Sequence, residues 1–201
     1  AESVHIKTQA FYKIYEQYGK NIAEKVVAHH ESNGGMSRFE KFPYYHKAFL
    51  GIDLSKNDLE VLSADFSKLV IDSVVDTDEV QGALWFLNKY KRVSKYWIVS
   101  ATPTDEINEI VKRRGILEYF IKIYGSPNKK TGIVQKIINN NNLTLNETVF
   151  LGDAKSDFDA ANKNNIDFIL RLTAENKSLF KNENINRFID FYELDKILNE
   201  E

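Results

Sequence analysis

The sequence predicts an α/β protein in which a Rossmann-like parallel sheet, wrapped by helices, follows a helical bundle. Three observations predict it. Apolar residues recur at helical spacing through the first third of the chain. After about Val74 the pattern becomes an alternation of short apolar runs and helices, the signature of βαβ units. Three of the later apolar runs end in polar residues that a parallel sheet would bring to one edge.

The elements follow in order. Ala10, Phe11, Ile14, Tyr15 and Tyr18 share a helix face, and Gly19 is placed to end that helix. A second amphipathic stretch covers Ile22 to His29. A polar loop, Glu31 to Arg38, follows, with Ser37 positioned to cap a helix that opens at Arg38 and Phe39. Phe42, Tyr45, Phe49 and Leu50 carry that helix past Pro43. Asp58 to Ile71 is the last helix of the bundle, which occupies residues 4–73. The α/β unit, residues 74–201, starts with a helix from Asp78 to Tyr90 and a strand from Tyr96 to Val99. A helix from Asp105 to Arg114 stops at Gly115, and a strand at Phe120 to Tyr124 leads to a helix from Gly132 to Asn139. The strand Val149 to Leu151, a helix to about Asn164, a strand at Phe168 to Leu172, a short edge strand at Ile189 to Phe191 and a terminal helix complete the chain.

Composition narrows the function classes. The 201 residues suffice for one core domain with a smaller companion, and 43% hydrophobic with 28% charged residues is ordinary for a globular protein. A net charge of −2 makes no electrostatic case for nucleic acid. The absence of cysteine excludes disulfides and thiolate metal sites, so the cytoplasm is the expected compartment. No apolar run has the length of a membrane span, so no membrane partner is expected. His29 and His30 are adjacent and cannot share a helix face, which argues against a zinc site.

The three strand ends carry the chemistry. The first is Ser100-Ala-Thr-Pro103, the second Gly125-Ser-Pro-Asn-Lys-Lys130, and the third Gly152-Asp-Ala-Lys-Ser-Asp157. Asp153 and Asp157, four residues apart at a strand's carboxyl end, are hard oxygen donors of the kind Mg²⁺ takes. A hydroxyl with backbone N–H groups, an ammonium and two carboxylates at one edge can hold a phosphoryl group and its metal. Each has an ordinary alternative: a turn for Ser100, a solvated loop for Lys129 or Lys130, and a helix cap with a solvated neighbour for the aspartates.

Taken together, Ser100, Gly-Ser-Pro-x-x-Lys130 and Gly-Asp-x-x-x-Asp at 152–157 resemble motifs two, three and four of the haloacid dehalogenase superfamily. Glu2-Ser3, Lys7, Ala10-Phe11 and Tyr18-Gly19 are similar to the first cap helix of its phosphoglycolate phosphatase and β-phosphoglucomutase branch, and Gly35-Met-Ser-Arg38 to that branch's substrate-facing cap loop. The resemblance implies a Mg²⁺-dependent phosphatase of a small phosphorylated metabolite, working through an aspartyl-phosphate, with a phosphomutase as the alternative. It implies Asp153 as a metal ligand, and Asp157 as a second carboxylate that supports the metal or holds the lysine. Lys130, with Lys129 as its substitute, would neutralise phosphoryl oxygens. Ser100 and the Ala101 N–H would bond the phosphate, and Arg38 and Lys7 would reach the substrate from the cap. The sequence departs from the family in one respect: the Asp-x-Asp-Gly segment of the central strand, expected just upstream of Glu2-Ser3, is absent. The expectation is therefore an amino-terminal truncation whose sheet lacks its first strand, inactive as it stands. If that absence is genuine, a non-catalytic module binding a phosphorylated ligand or a protein is the remaining alternative.

Overall fold

The computed structural model describes residues 1–199, so the last two positions of the expected 74–201 unit lie outside the described residues. Four helices form the first layer: α1 (Val4–Tyr15), α2 (Lys20–Ser32), α3 (Arg38–Tyr45) and α4 (Lys56–Asp76). Gly19, at φ 100°, turns the chain between α1 and α2 in a backbone conformation that favours glycine. The Ser37 hydroxyl caps α3 by accepting from the Phe39 N–H, as its position predicts. Pro43 does not end the helix; after Tyr45 it widens into a π turn, His46–Leu50, which Gly51 closes at φ 72°.

The bundle's interior is aromatic. The Phe11 ring lies 4.4 Å from Phe66 and 5.6 Å from Phe42, with Tyr45 edge-on at 5.8 Å. Phe11, Tyr15, Phe42, Tyr45, Phe66 and Val70 are all buried. The helix α4 is longer than its apolar pattern suggested, because Ser55 caps it through the Asp58 N–H and its face continues to Val74. It therefore crosses the expected boundary at residue 74.

The second unit holds α5 (Ala83–Tyr90), β1 (Tyr96–Pro103), α6 (Thr104–Arg113), β2 (Phe120–Ser126), α7 (Lys130–Asn141), β3 (Val149–Gly152), α8 (Lys155–Lys163), β4 (Asp167–Arg171), β5 (Asn186–Phe188) and α9 (Phe191–Asn199). Two boundaries differ from the sequence reading for local reasons. The helix α5 begins at Ala83, not Asp78, because Gly82 takes φ 78° beneath the Tyr192 ring. The edge strand falls at Asn186–Phe188 because the Asp190 carboxylate accepts from the Tyr192 and Glu193 N–H groups, capping α9 and drawing Phe191 into the helix.

All strand pairs are parallel, in two pieces: β1 with β2, and β3-β4-β5. The strands bearing Ser100 and Asp153 thus each have a neighbour on one side and do not pair with each other. Their side chains still meet in shared cores, Tyr96 of β1 with Leu151 of β3, and Val99 of β1 with Ala160, Phe168 and Leu170.

Phe11→Ala is expected to cost about 3–5 kcal/mol, since it removes the ring on which the bundle's other aromatics converge. Exposed Val61→Ala is expected to stay within about 0.5 kcal/mol. Urea midpoints at unchanged slope would show this contrast, and equal losses would contradict the placement of the core.

Candidate active site

The acidic loop after β3 is held from two directions. Lys130, in the first turn of α7, puts its Nζ 2.6 Å from Asp157 Oδ1, with both side chains nearly buried. The other oxygen of Asp157 accepts from the Ala154 N–H at 3.1 Å. Burial raises the Asp157 pKa while the Lys130 charge opposes that rise. Gly152 is glycine because of proximity: a Cβ there would lie 2.4 Å from the Asp157 Cβ.

Asp153 points differently. It is exposed, and its carboxylate takes no protein donor among the described residues, while its backbone carbonyl accepts from Asn176 Nδ2 at 2.8 Å. Buried Asn176 also bonds the Arg171 carbonyl and exchanges hydrogen bonds with Thr173, so it ties the Asp153 loop to the end of β4. A cleft beside Asp153, with Arg171, Thr173, Glu2 and His5 among its walls, encloses about 450 Å³.

The β1 end supplies the hydroxyls. Its pairing with β2 shifts register between Val99 and Pro103, and Ser100 and Ala101 lie within that irregularity. Ser100 Oγ accepts from the Thr102 N–H at 3.1 Å. Gly125 allows β2 to close on this bend, since a Cβ would stand 2.4 Å from the Thr102 carbonyl oxygen. Buried Thr102 receives the Lys7 Nζ from α1 at 3.4 Å, which brings a bundle residue to this edge.

Lys7 thus reaches the β1 bend that carries Ser100 and Ala101, and Lys130 reaches the acidic loop that carries Asp153 and Asp157. Lys129 is exposed and outside both. Arg38 is nearby but engaged. Its guanidinium donates to Glu106 Oε1 and to the Ser67 hydroxyl, each at 2.8 Å, and to the Ser63 carbonyl, with the Phe66 ring 4.3 Å away. In this arrangement it holds the bundle to α6, so the expected fork onto substrate oxygens is taken up by Glu106. The cap-like loop touches the site through Gly35, whose carbonyl accepts from Ser156 Oγ and whose Cα packs against α8.

Sequence reasoning missed Thr102, Glu106, Asn176 and Lys41. The Thr173-x-x-Asn176 spacing is a local turn signal that could have marked Asn176. Glu106 and Lys41 carried none, because each matters through a partner on another element. Lys41 is 1% exposed, with its Nζ 2.7 Å from His30 Nδ1.

As to a metal, Asp153 offers one free carboxylate, whereas Asp157 is committed to Lys130 and Ala154. No group of three or more His, Asp or Glu residues able to hold an ion occurs among the described residues. Mg²⁺ takes about six oxygens, so these side chains alone would not complete its coordination. Among the described residues no helix is long and apolar enough to cross a membrane.

The sequence matches the haloacid dehalogenase-like hydrolase family over residues 2–171. No curated protein matches it. Among solved structures, a β-phosphoglucomutase from Clostridium difficile superimposes at a TM-score of 0.72 with 18% identity, covering 98% of this chain and 92% of its own. A mutant of CbbY from Rhodobacter sphaeroides, in complex with xylulose-1,5-bisphosphate, gives 0.72 at 14% identity over 96% and 91%. The YfnB protein of Bacillus subtilis, bound to magnesium, gives 0.69 at 14% over 98% and 93%. At these identities the likeness is one of fold.

Two predictions follow from the geometry. Lys130→Met strands a buried carboxylate and is expected to cost about 3–5 kcal/mol in denaturant titrations, whereas Lys129→Met should be neutral. Equal effects would place the wrong lysine against Asp157. The second concerns pH. Burial, with Lys7 on α1 adding repulsion, lowers Lys41 to about 7, and neighbouring His30 on α2 is itself lowered to about 3. Between pH 7 and the ordinary lysine range the unfolded chain binds the extra proton, so stability should rise with pH, and Lys41→Met should flatten that rise. Urea midpoints from pH 6.5 to 9.5 would show it, and an unchanged profile would refute it.

Proposed function

The chain belongs to the haloacid dehalogenase-like hydrolase family, and we infer that it serves as a Mg²⁺-dependent phosphatase of a small phosphorylated metabolite, in the cytoplasm. The observation that carries this reading is the Lys130–Asp157 pair beside the free carboxylate of Asp153. It sets an ammonium and a metal-seeking oxygen at the carboxyl end of β3, and Ser100 stands at the carboxyl end of β1. In this reading Ser100 and the Ala101 N–H hydrogen-bond the phosphoryl group, and Lys130, oriented by Asp157, opposes its charge. Lys7 approaches from the cap. Asp153 would hold Mg²⁺, which would polarise the phosphoryl oxygens when bound.

The nucleophile in this reading is a carboxylate on an extended segment seated between β1 and β3. That β1 and β3 share apolar clusters without pairing supports such a position. Attack on phosphorus forms an aspartyl-phosphate and expels the alcohol, and water then hydrolyses the acyl phosphate. A phosphomutase would use the same intermediate and return the phosphoryl group to a second hydroxyl. The fold likeness to a β-phosphoglucomutase keeps that alternative in view. Without the segment the same groups bind phosphate and do not turn it over.

The test is hydrolysis of a generic phosphate ester by the form that includes the segment, beside the 201-residue chain. Turnover is expected from the first and not the second. Asp153→Asn should raise the Mg²⁺ concentration required, and Lys130→Ala should lower kcat by about 10²–10³. Exposed Lys136→Ala is the control. A loss at Lys136 equal to that at Lys130 would overturn the reading, as would turnover by the 201-residue chain alone.

A further inference from the structure

Bundle and core leave a groove along their seam. It runs between α4 and α6, encloses about 450 Å³ and has Phe39, Ile71 and Pro103 among its walls. The residues that α4 gives it, Glu60, Ala64, Ser67 and Ile71, recur every three or four positions, the spacing of one helix face. Carboxylates rim it: Glu60 from α4, and Asp105 and Glu109 from α6. Glu106, beneath them, is already paired with Arg38. Asp105 and Glu109 are exposed and form no ion pair among the described residues, Glu60 meets Lys56 only at 4.0 Å, and no lysine or arginine lines the groove.

The opposite feature follows α5. Lys91, Arg92 and Lys95 stand in the turn before β1, exposed and without a carboxylate partner among the described residues. Among them Val93 is 79% exposed, more than any other large apolar side chain that reaches the surface. The Val93 and Ser94 N–H groups both donate to the Tyr90 carbonyl, at 3.0 and 2.8 Å, so the turn is a fixed knob. An apolar tip flanked by cations is the chemical inverse of an apolar groove flanked by carboxylates. One chain cannot bring its own two features together. The turn ends where β1 begins, at Tyr96, and the groove touches Pro103, where β1 ends. The eight strand residues between them span about 25 Å.

We propose that the groove takes the turn at residues 91–95 of a second copy of this chain, with Val93 on the apolar floor and Lys91, Arg92 and Lys95 against Glu60, Asp105 and Glu109. A knob on one copy and a groove on the next make a head-to-tail contact, which closes into a symmetric pair when two copies exchange turns. One turn in one groove is a small interface, so the association is weak and reversible. Its ordering cost is low because the knob is fixed beforehand. The groove has walls from both units, so a seated turn fastens α4 of the bundle to α6 of the core. None of the contacting residues belongs to the candidate active site, and the contact stands whether or not the chain is a phosphatase.

Sedimentation velocity of the 201-residue chain between about 5 and 500 µM covers the affinities of such a contact. The average mass should rise with concentration, and less steeply at about 0.5 M salt than at about 0.05 M, since exposed charges are screened. Val93→Asp, and separately Glu60→Lys with Glu109→Lys, should each weaken association about tenfold or more. Mixed in equal amounts, the two variants should associate with each other again, because one keeps its groove and the other its turn. If Val93→Asp does not fold, Arg92→Glu tests the turn in its place. A chain that stays monomeric throughout would overturn the second copy as the occupant, in favour of a basic segment of another protein. Association that neither variant weakens, or that the mixture fails to restore, would place the contact on another surface, such as the strand edges, and overturn the proposal as well.

Discussion

The buried ion pair between Arg38 and Glu106 is the constraint on which the relation of the two units depends. Both side chains are 4% exposed, and Ser67 completes the site by donating to the second oxygen of Glu106 at 2.6 Å. A pair so withdrawn from water contributes little net stability, yet either partner alone would be an uncompensated buried charge. The bundle and the core are therefore held to one arrangement. Glu106 lies in the first turn of α6, directly after the β1 edge, and Ile110, one turn further, enters the bundle's apolar core. The cap is thus registered against the Ser100 edge through a few residues. That registration is what brings Lys7 to Thr102.

The acidic loop shows the same logic on a smaller scale. One carboxylate is used to orient the site and the other is left available. Asp157 has both oxygens occupied, which fixes the Lys130 ammonium and the first turn of α8. Asp153 is positioned through its backbone carbonyl by Asn176, so its side chain remains free. Two glycines permit this density, Gly152 under Asp157 and Gly35 against Ser156, both through close approach and not through a positive φ. A site whose supports are locked by packing loses little entropy on binding its ligand.

The divided sheet sets the outer limits. Backbone N–H and C=O groups along an unpaired strand edge require partners. Among the described residues the strands β1 and β3 each have a strand neighbour on one side, and side chains, not ladder hydrogen bonds, join the two halves. The helices on either face keep the halves in one core. The candidate site residues thus come from both half-sheets and from the helical bundle.

The amino-acid sequence by itself determined the order and kind of the elements. Helical periodicity, Ser37 as a cap, Gly19 as a stop and apolar runs ending in Ser100, Lys130 and Asp153 are local patterns, and local patterns are written in neighbouring residues. It also determined which residue types stand at the carboxyl edge of the sheet. Boundaries moved where a tertiary contact intervened, as at Gly82 beneath Tyr192. Only the tertiary structure decided the use of each charge. Arg38 and Lys7 have the same look in sequence, and one is tied to Glu106, 68 positions away, while the other reaches Thr102. Lys129 and Lys130 are adjacent, and the direction of the first turn of α7 sends one to solvent and the other to Asp157. A charge acts through what lies within a few ångströms of it, and those neighbours are assembled from distant parts of the chain by burial, which no spacing along the sequence records.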